Sequence, residues 1–159
     1  MDSGIEDRSE KQQRRDLLGI TDRIRTDAEG AGRPRYEVNF LDATEIPRIA
    51  EMIERYGDRF IRRVFTDGEI AYCRRKRDAA PSFAARFAAK EAAMKALGTG
   101  QAHGVYWTGI EVVRRYGPPQ LRFNGGALEH FQKLGATGSL LTLTHSRDLA
   151  IAHVMLTRP

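Results

Sequence analysis

Cysteine and long apolar segments are what this sequence has least of. Its 159 residues include one cysteine, Cys73, which excludes an intramolecular disulfide and any zinc site built from cysteines alone. No apolar run approaches the roughly 18 residues that a membrane-spanning helix needs. The amino-terminal residues lack the apolar stretch of a signal peptide and are too acidic for a transit peptide. These absences predict a cytoplasmic protein without membrane contact.

The charge that is present is unevenly distributed. Lysine and arginine outnumber aspartate and glutamate by 26 to 21, a net charge of +5. Residues 1–35 carry eight acidic and eight basic side chains, so the excess belongs to residues 36–159. We predict an amino-terminal extension over residues 1–35, mobile or with one short helix around residues 10–25, and a single domain over residues 36–159. The basic domain indicates an anionic partner, which composition alone does not identify.

Hydrophobic spacing predicts a domain of mixed α and β structure. Strands are expected over residues 36–41, 105–115, 120–124, 139–144 and 149–156, and helices over residues 45–55, 59–64, 67–77, 82–97 and 127–134. The strongest helix prediction is residues 82–97, because alanine dominates it and Gly98-Thr99-Gly100 closes it. Thr66 with Glu69 three residues later fits a capping box.

The predicted helix over residues 82–97 carries four charged side chains, Arg86, Lys90, Glu91 and Lys95. Glu91 and Lys95 are four residues apart and share a helix face, as do Arg86 and Lys90. One interpretation is surface ion pairs, each worth about 0.3–0.5 kcal/mol. The other is a group of phosphate-binding cations beside a carboxylate that holds a metal ion.

Asp42 ends the first predicted strand and also allows two interpretations. The segment Asp42-Ala43-Thr44-Glu45 has the spacing of a capping box, which would make Asp42 a helix cap. Paired in space with Glu91, Asp42 would instead bind Mg²⁺, which takes one or two carboxylates.

Basic residues are concentrated between positions 48 and 77. This stretch holds nine of the eighteen lysines and arginines of residues 36–159, including Arg48, Arg55, Arg59 and the run Arg74–Arg77. Charge alone does not show whether these residues form a solvated face or bind nucleic acid, an acidic protein or a ligand phosphate. The aromatic residues show no stacking pattern typical of RNA-binding motifs, which argues against nucleic acid.

The run RFAAKEAAMKALGTG over residues 86–100 closely resembles the signature of the holo-acyl-carrier-protein synthase type of 4′-phosphopantetheinyl transferase. Other conserved segments of that family are matched on both sides of this run and in the right order, at residues 41–49, 57–66, 110–112, 117–119 and 143–146. The resemblance covers about residues 36–157. It implies an α+β fold with helices packed on an antiparallel sheet, and a homotrimer.

The resemblance also implies an activity, the transfer of the phosphopantetheine arm of coenzyme A to a serine of an acidic acyl carrier protein, with release of 3′,5′-ADP. Asp42 and Glu91 match the Mg²⁺ ligands, and Lys95 matches the lysine that contacts the transferring phosphate. Our hypothesis is that a metal-associated water polarised by Glu91 accepts the serine proton.

Two further groups of residues follow from the resemblance. The coenzyme A site would comprise Arg74, Arg75, Lys76, Arg77, Arg86, Lys90, Gly98, His145 and Ser146. The carrier protein would contact Arg48, Arg55, Arg59 and Arg63.

Two positions depart from the family pattern. Phe40 stands where the family usually has a glycine two residues before the first metal ligand, and Pro118 replaces a basic turn residue. These departures keep a second function open, that of a relative with altered or lost transferase activity that binds a carrier protein or a ligand resembling coenzyme A.

Overall fold

The computed structural model describes residues 38–158. The strands are β1 (Val38–Glu45), β2 (Ile110–Val113), β3 (Gln120–Phe123), β4 (Gly138–His145) and β5 (Leu149–Thr157). The helices are α1 (Ile46–Tyr56), α2 (Asp58–Val64), α3 (Asp67–Arg74), α4 (Ala80–Leu97) and α5 (Gly125–Lys133), with a short 3₁₀ turn at Trp107–Gly109. The α+β prediction is confirmed.

The larger sheet is antiparallel and has the strand order β1-β5-β4. Asp42 lies opposite Ala152, which in turn lies opposite Leu143. Residues of this row face the helices, and the alternate residues face outward because strand side chains alternate in direction. The smaller sheet is the β2–β3 pair. One described face of the large sheet is therefore packed and carries Asp42.

Helix α4 occupies the packed face of the sheet. Twelve of its 18 residues are buried, and it packs mainly on β5 and β1. Alanines at positions 88, 89, 92 and 93 are all fully buried, and such small side chains let a helix lie close to a sheet. Gly98 ends the helix in a left-handed conformation with φ of 73°, which glycine adopts without steric cost. This helix places Glu91 and Lys95 over β1.

Several predicted boundaries are corrected by the structure. Strand β1 continues to Glu45, and the α1 cap position is Glu45 without a side-chain cap, so the interpretation of Asp42 as a helix cap is wrong. Strand β2 begins at Ile110, and not at residue 105, because the 3₁₀ turn precedes it. Helix α3 ends at Arg74, and not at residue 77.

Two local predictions are confirmed. Thr66 caps α3, accepting from the backbone N–H of Glu69 while the Glu69 side chain accepts from the backbone N–H of Thr66. Gly57, with φ of 52°, separates α1 from α2. The helix predicted around residues 10–25 lies outside the described residues. No helix within residues 38–158 is long and apolar enough to cross a membrane.

Candidate active site

Three charged side chains meet where α4 crosses β1. Asp42 projects from the strand toward the helix, and Glu91 and Lys95 come from successive turns of α4. The Lys95 ammonium donates to Asp42 Oδ1, and these side chains are 46% and 9% exposed. Lys95 therefore does not form the ion pair with Glu91 that their spacing of four residues predicts. Its hydrogen bond goes to the strand.

Glu91 is half-buried beside Asp42. Burial raises the pKa of the Glu91 carboxyl, and the adjacent Asp42 carboxyl raises it further, while Lys95 and Arg48 act in the opposite direction. Two carboxylates held this close repel each other when both are charged. A cation bound between them would relieve that repulsion, so the pair has the electrostatics of a cation site.

One oxygen of this pair has no partner. Asp42 Oδ2 is buried, and no donor within residues 38–158 reaches it while Glu91 is ionised, although a protonated Glu91 hydrogen-bonds to Asp42. A buried carboxylate oxygen without a donor is costly, and a metal ion would satisfy it. The described residues contain no group of three or more metal-binding side chains. Two carboxylates with the rest of the shell left to water and phosphate oxygens suit Mg²⁺, so the residues fit this ion.

Lys90 does not fit the role predicted for it. Its side chain is fully buried and paired with Glu69, with Lys90 Nζ 2.8 Å from Glu69 Oε2. The same ammonium donates to the Trp107 carbonyl at 2.9 Å and to the Ile110 carbonyl at 2.5 Å. All three of its hydrogens are engaged, so the interpretation of Lys90 as a phosphate ligand or a surface ion pair is wrong for this structure.

Arg86 lies in a cluster of cations around Tyr72. Its guanidinium carbon is 4.0 Å from the Tyr72 ring centre, and Lys76 Nζ and the Arg75 guanidinium carbon lie at 4.9 and 5.7 Å. Burial alone would raise the pKa of Tyr72, but Lys76, Arg86 and Arg114 outweigh burial and lower it. Arg86 Nε is buried without a hydrogen-bond acceptor in the described residues. This cluster concentrates positive charge at one place.

The other predicted basic ligands of coenzyme A are exposed on the surface. Arg74 forms an ion pair with Asp58, so part of its charge is already compensated. Arg77 is exposed beyond the end of α3. The run of four therefore divides, with Arg75 and Lys76 over Tyr72 and Arg74 directed to α2.

His145 and Ser146 lie where β4 turns into β5. His145 is opposite Ala150, which is opposite Thr44, so His145 lies on the same sheet face as Asp42 but two strands away. Its Nδ1 is 3.3 Å from the Ser146 carbonyl oxygen, and the Ser146 backbone N–H donates to Leu149. Both side chains are exposed. Gly98 is also exposed, three residues after Lys95.

The arginines predicted to contact a carrier protein are all exposed. Arg48 and Arg55 lie on α1, and Arg59 and Arg63 lie on α2, after the break at Gly57. Arg48 is close enough to Glu91 to stabilise its charged form. This last contact was missed by the sequence reasoning, which assigned Arg48 to the carrier protein alone.

Tyr72, Arg114 and Glu69 were also missed as neighbours of the predicted site residues. The presence of a tyrosine shortly before four consecutive basic residues was a usable signal for Tyr72. Glu69 was noticed only as part of a capping box, and nothing in its local pattern indicates a partner 21 positions away on another helix.

The described site lies within a recognised family segment. Residues 41–152 match the 4′-phosphopantetheinyl transferase superfamily, and this segment contains Asp42, Glu91 and Lys95. Because the match covers more than half of the chain, the protein belongs to that superfamily.

Its curated relatives narrow the assignment. A holo-[acyl-carrier-protein] synthase of Solibacter usitatus is 50% identical over 117 residues, which cover 73% of this chain and 94% of that protein. One from Methylorubrum extorquens is 48% identical over 120 residues, covering 72% and 88% respectively. Within the superfamily, the chain is an enzyme of the holo-[acyl-carrier-protein] synthase family.

Solved structures agree with the fold. The holo-[acyl-carrier-protein] synthase of Neisseria meningitidis has a TM-score of 0.68 at 25% identity, covering 74% of this chain and 95% of that one. The Bacillus anthracis synthase in complex with CoA (3′,5′-ADP) has a TM-score of 0.63 at 30% identity, covering 77% and 98%.

Proposed function

We propose that this enzyme transfers the 4′-phosphopantetheine arm of coenzyme A to a serine of an apo acyl carrier protein, in a Mg²⁺-dependent reaction that releases 3′,5′-ADP. The observation that carries the proposal is the meeting of Asp42, Glu91 and Lys95, with Asp42 Oδ2 buried and lacking a donor among the described residues. The names of the relatives and the coenzyme A complex of the Bacillus anthracis synthase support it.

Phosphoryl transfer depends mainly on positioning and on neutralising charge. Asp42 and Glu91 would hold Mg²⁺, which when bound neutralises a diphosphate and makes its phosphorus more electrophilic. Lys95 is half-exposed at the same place, where its ammonium can stabilise negative charge that grows on the transferring phosphate. The carboxylate of Asp42 orients that ammonium.

The attacking hydroxyl belongs to the carrier protein, so the enzyme needs no nucleophile of its own. Burial raises the pKa of the single cysteine thiol, Cys73, to about 11, and its side chain is fully enclosed. Glu91 is the carboxylate of this group that can polarise a water to receive the hydroxyl proton. We assign it the removal of the serine proton.

The cation cluster around Tyr72 is the proposed site for a terminal phosphate of coenzyme A. Arg75, Lys76 and Arg86 converge on this ring, and the buried Arg86 Nε lacks an acceptor in the described part of the chain. Arg74, Arg77, Gly98, His145 and Ser146 remain proposed contacts at the edges of the site, whereas Lys90 is removed from it.

The exposed arginines of α1 and α2 are the proposed dock for the carrier protein, whose acidic surface they would attract. Arg48, Arg55, Arg59 and Arg63 share this basic surface. Exposed charges of this kind mainly accelerate association and are screened by salt.

A homotrimer is part of the proposal and has its own structural support. The outward face of the large sheet carries Leu41 and Leu140, which are 53% and 61% exposed, together with partly exposed Ile151 and Met155. These exposed apolar side chains, which alternate with polar ones such as Thr142 and His153 on the same face, are typical of a surface that another chain covers. Sedimentation equilibrium of the parent and of a Leu41→Lys variant would test it, with a monomeric parent contradicting the assembly.

The activity is tested by incubating the enzyme with apo carrier protein, coenzyme A and Mg²⁺ and weighing the carrier. A gain of one phosphopantetheine arm, lost in Glu91→Gln and in chelator, supports transfer. Binding of the carrier without any mass gain would contradict it and favour a carrier-binding module, for which the replacement of glycine by Phe40 is the sequence feature to examine. The cytoplasm, where the proposed substrates meet, is the proposed location.

A further inference from the structure

Two histidines lie together outside the proposed active site. The ring centres of His103 and His130 are 5.8 Å apart, and the rings are inclined at 55°. His103 belongs to the connection between α4 and β2, and His130 belongs to α5. Within residues 38–158, this ring contact is the one interaction that either side chain makes. Both imidazoles therefore have nitrogens available to a ligand.

Packed backbone holds together the two segments that carry these histidines. A Cβ built on Gly126 would lie 2.3 Å from the Gly104 carbonyl oxygen, so the connection and the start of α5 touch directly. His103 precedes Gly104, and His130 follows Gly126 by four residues, which places it on the same face of α5. Val105, fully buried, anchors the connection just beyond.

The arrangement has the dimensions of a shared metal ligand pair. Zinc binds imidazole nitrogen at about 2.0–2.1 Å, which puts the ring centres of two histidines on one ion roughly 4.5–6.3 Å apart. The observed separation of 5.8 Å between the ring centres falls within this range. His103 is exposed and His130 is partly exposed, so water can complete the coordination shell.

We propose that His103 and His130 form a two-histidine site for a transition-metal ion such as Zn²⁺, Ni²⁺ or Cu²⁺. Imidazole suits these ions, whereas Mg²⁺ prefers oxygen ligands, so this site and the Asp42–Glu91 pair select different metals. With water filling the remaining positions, the ion is exchangeable. Its binding joins the connection after α4 to α5.

The test uses the full chain without a histidine tag, in saturating Mg²⁺ so that the carboxylate pair is occupied. Titration calorimetry with ZnCl₂ and with NiCl₂ should show one ion bound per chain. His103→Asn and His130→Ala should each weaken binding at least about tenfold, since each removes half of the protein ligands. Asparagine is used at position 103 because that residue has φ of 57°, a conformation that asparagine tolerates.

The chain has four histidines, and the other two provide controls. His145→Ala and His153→Ala should bind Zn²⁺ as the parent does. Electron paramagnetic resonance of the Cu²⁺ form should show two nitrogen ligands in the parent and one in either site variant. Circular dichroism without metal confirms that the variants fold. No binding heat in the parent, or binding that survives both site substitutions, would overturn the proposal.

Discussion

The Lys95 ammonium binds one oxygen of Asp42 and leaves the other buried without a donor among the described residues. Lys95 thus fixes the orientation of the strand carboxylate while remaining half-exposed itself. Glu91 completes the group from the preceding turn of the same helix. Lys95 should therefore weaken Mg²⁺ binding by charge repulsion and promote transfer by stabilising negative charge.

Replacing Lys95 with methionine should separate these effects. Transfer should fall by about 100-fold or more, because a charge that stabilises the transition state is lost. Mg²⁺ should bind at least about 5-fold more tightly, since a half-exposed unit charge a few ångströms from a divalent ion contributes at least roughly 1 kcal/mol of repulsion. Single-turnover transfer and Mg²⁺ titration calorimetry measure the two quantities. Lys133→Met, an exposed lysine on α5, is the control, and weaker Mg²⁺ binding in Lys95→Met would contradict the arrangement.

Glu91 should make the metal-free protein less stable as pH rises. Burial and Asp42 raise the pKa of Glu91 above its ordinary value of 4.5, so just above pH 4.5 the folded chain keeps a proton that the unfolded chain has released. The free energy of unfolding therefore decreases with rising pH through this window, and the loss persists at neutral pH. Glu91→Gln removes the effect.

Urea denaturation in chelator, repeated across pH, measures this difference. The Gln variant should be more stable than the parent at neutral pH and should converge with it below the ordinary pKa of the carboxyl. Its transfer activity should be lost over the same range. A Gln variant less stable than the parent at neutral pH would show that Glu91 is not electrostatically strained.

The two dock arginines of α2 should contribute to the salt dependence of carrier-protein recognition. Arg59→Ala with Arg63→Ala should raise the KM for the carrier by about tenfold at low salt and leave kcat nearly unchanged, because exposed charges steer association. Raising NaCl from about 0.05 to 0.5 M should raise the KM of the parent and bring it close to the KM of the double variant. Arg62→Ala is the matched control, since Arg62 already pairs with Asp58 and Asp67 on this surface. A parent KM indifferent to salt would contradict the dock.

Features of the fold that depend on residues close together in the sequence were predicted from local patterns. The Thr66 capping box and the alanine-rich α4 were predicted because their causes lie within a few residues. The segment Asp42-Ala43-Thr44-Glu45 fits both a cap and a strand, and only pairing with β5 selects the strand. That pairing joins residues more than 100 positions apart, so spacing alone left the alternatives open.

The sequence correctly predicted that the two carboxylates of the site lie together, but it assigned the wrong environment to one of the lysines. Asp42 and Glu91 were paired as one of two interpretations of the sequence, which the family resemblance then favoured, and the structure brings them together. Lys90 carries the same charge as Lys95 and lies five residues before it, but it faces the interior, where Glu69 compensates it. The direction of a helix face becomes fixed only when the helix packs, which is why this difference was not visible in the sequence.

Removing the charge of Lys90 should therefore lower the free energy of unfolding while leaving substrate binding nearly unchanged. Burial lowers the pKa of Lys90, and Glu69 opposes that effect. Lys90→Met would leave the buried Glu69 carboxylate uncompensated, which costs about 3–5 kcal/mol. Adding Glu69→Gln should recover at least about 1 kcal/mol, because the amide keeps an acceptor for the Val112 or Thr66 backbone N–H without a net charge.

Urea denaturation of the two single variants and the double variant completes the cycle, with unchanged m-values confirming a two-state comparison. The exposed pair of Arg62 and Asp58 provides the control, since disrupting it should cost no more than about 1 kcal/mol. The affinity of the folded Lys90→Met variant for coenzyme A should stay close to that of the parent. A large loss of coenzyme A affinity at unchanged stability would restore Lys90 to the phosphate site, because only a ligand contact would be affected in that way.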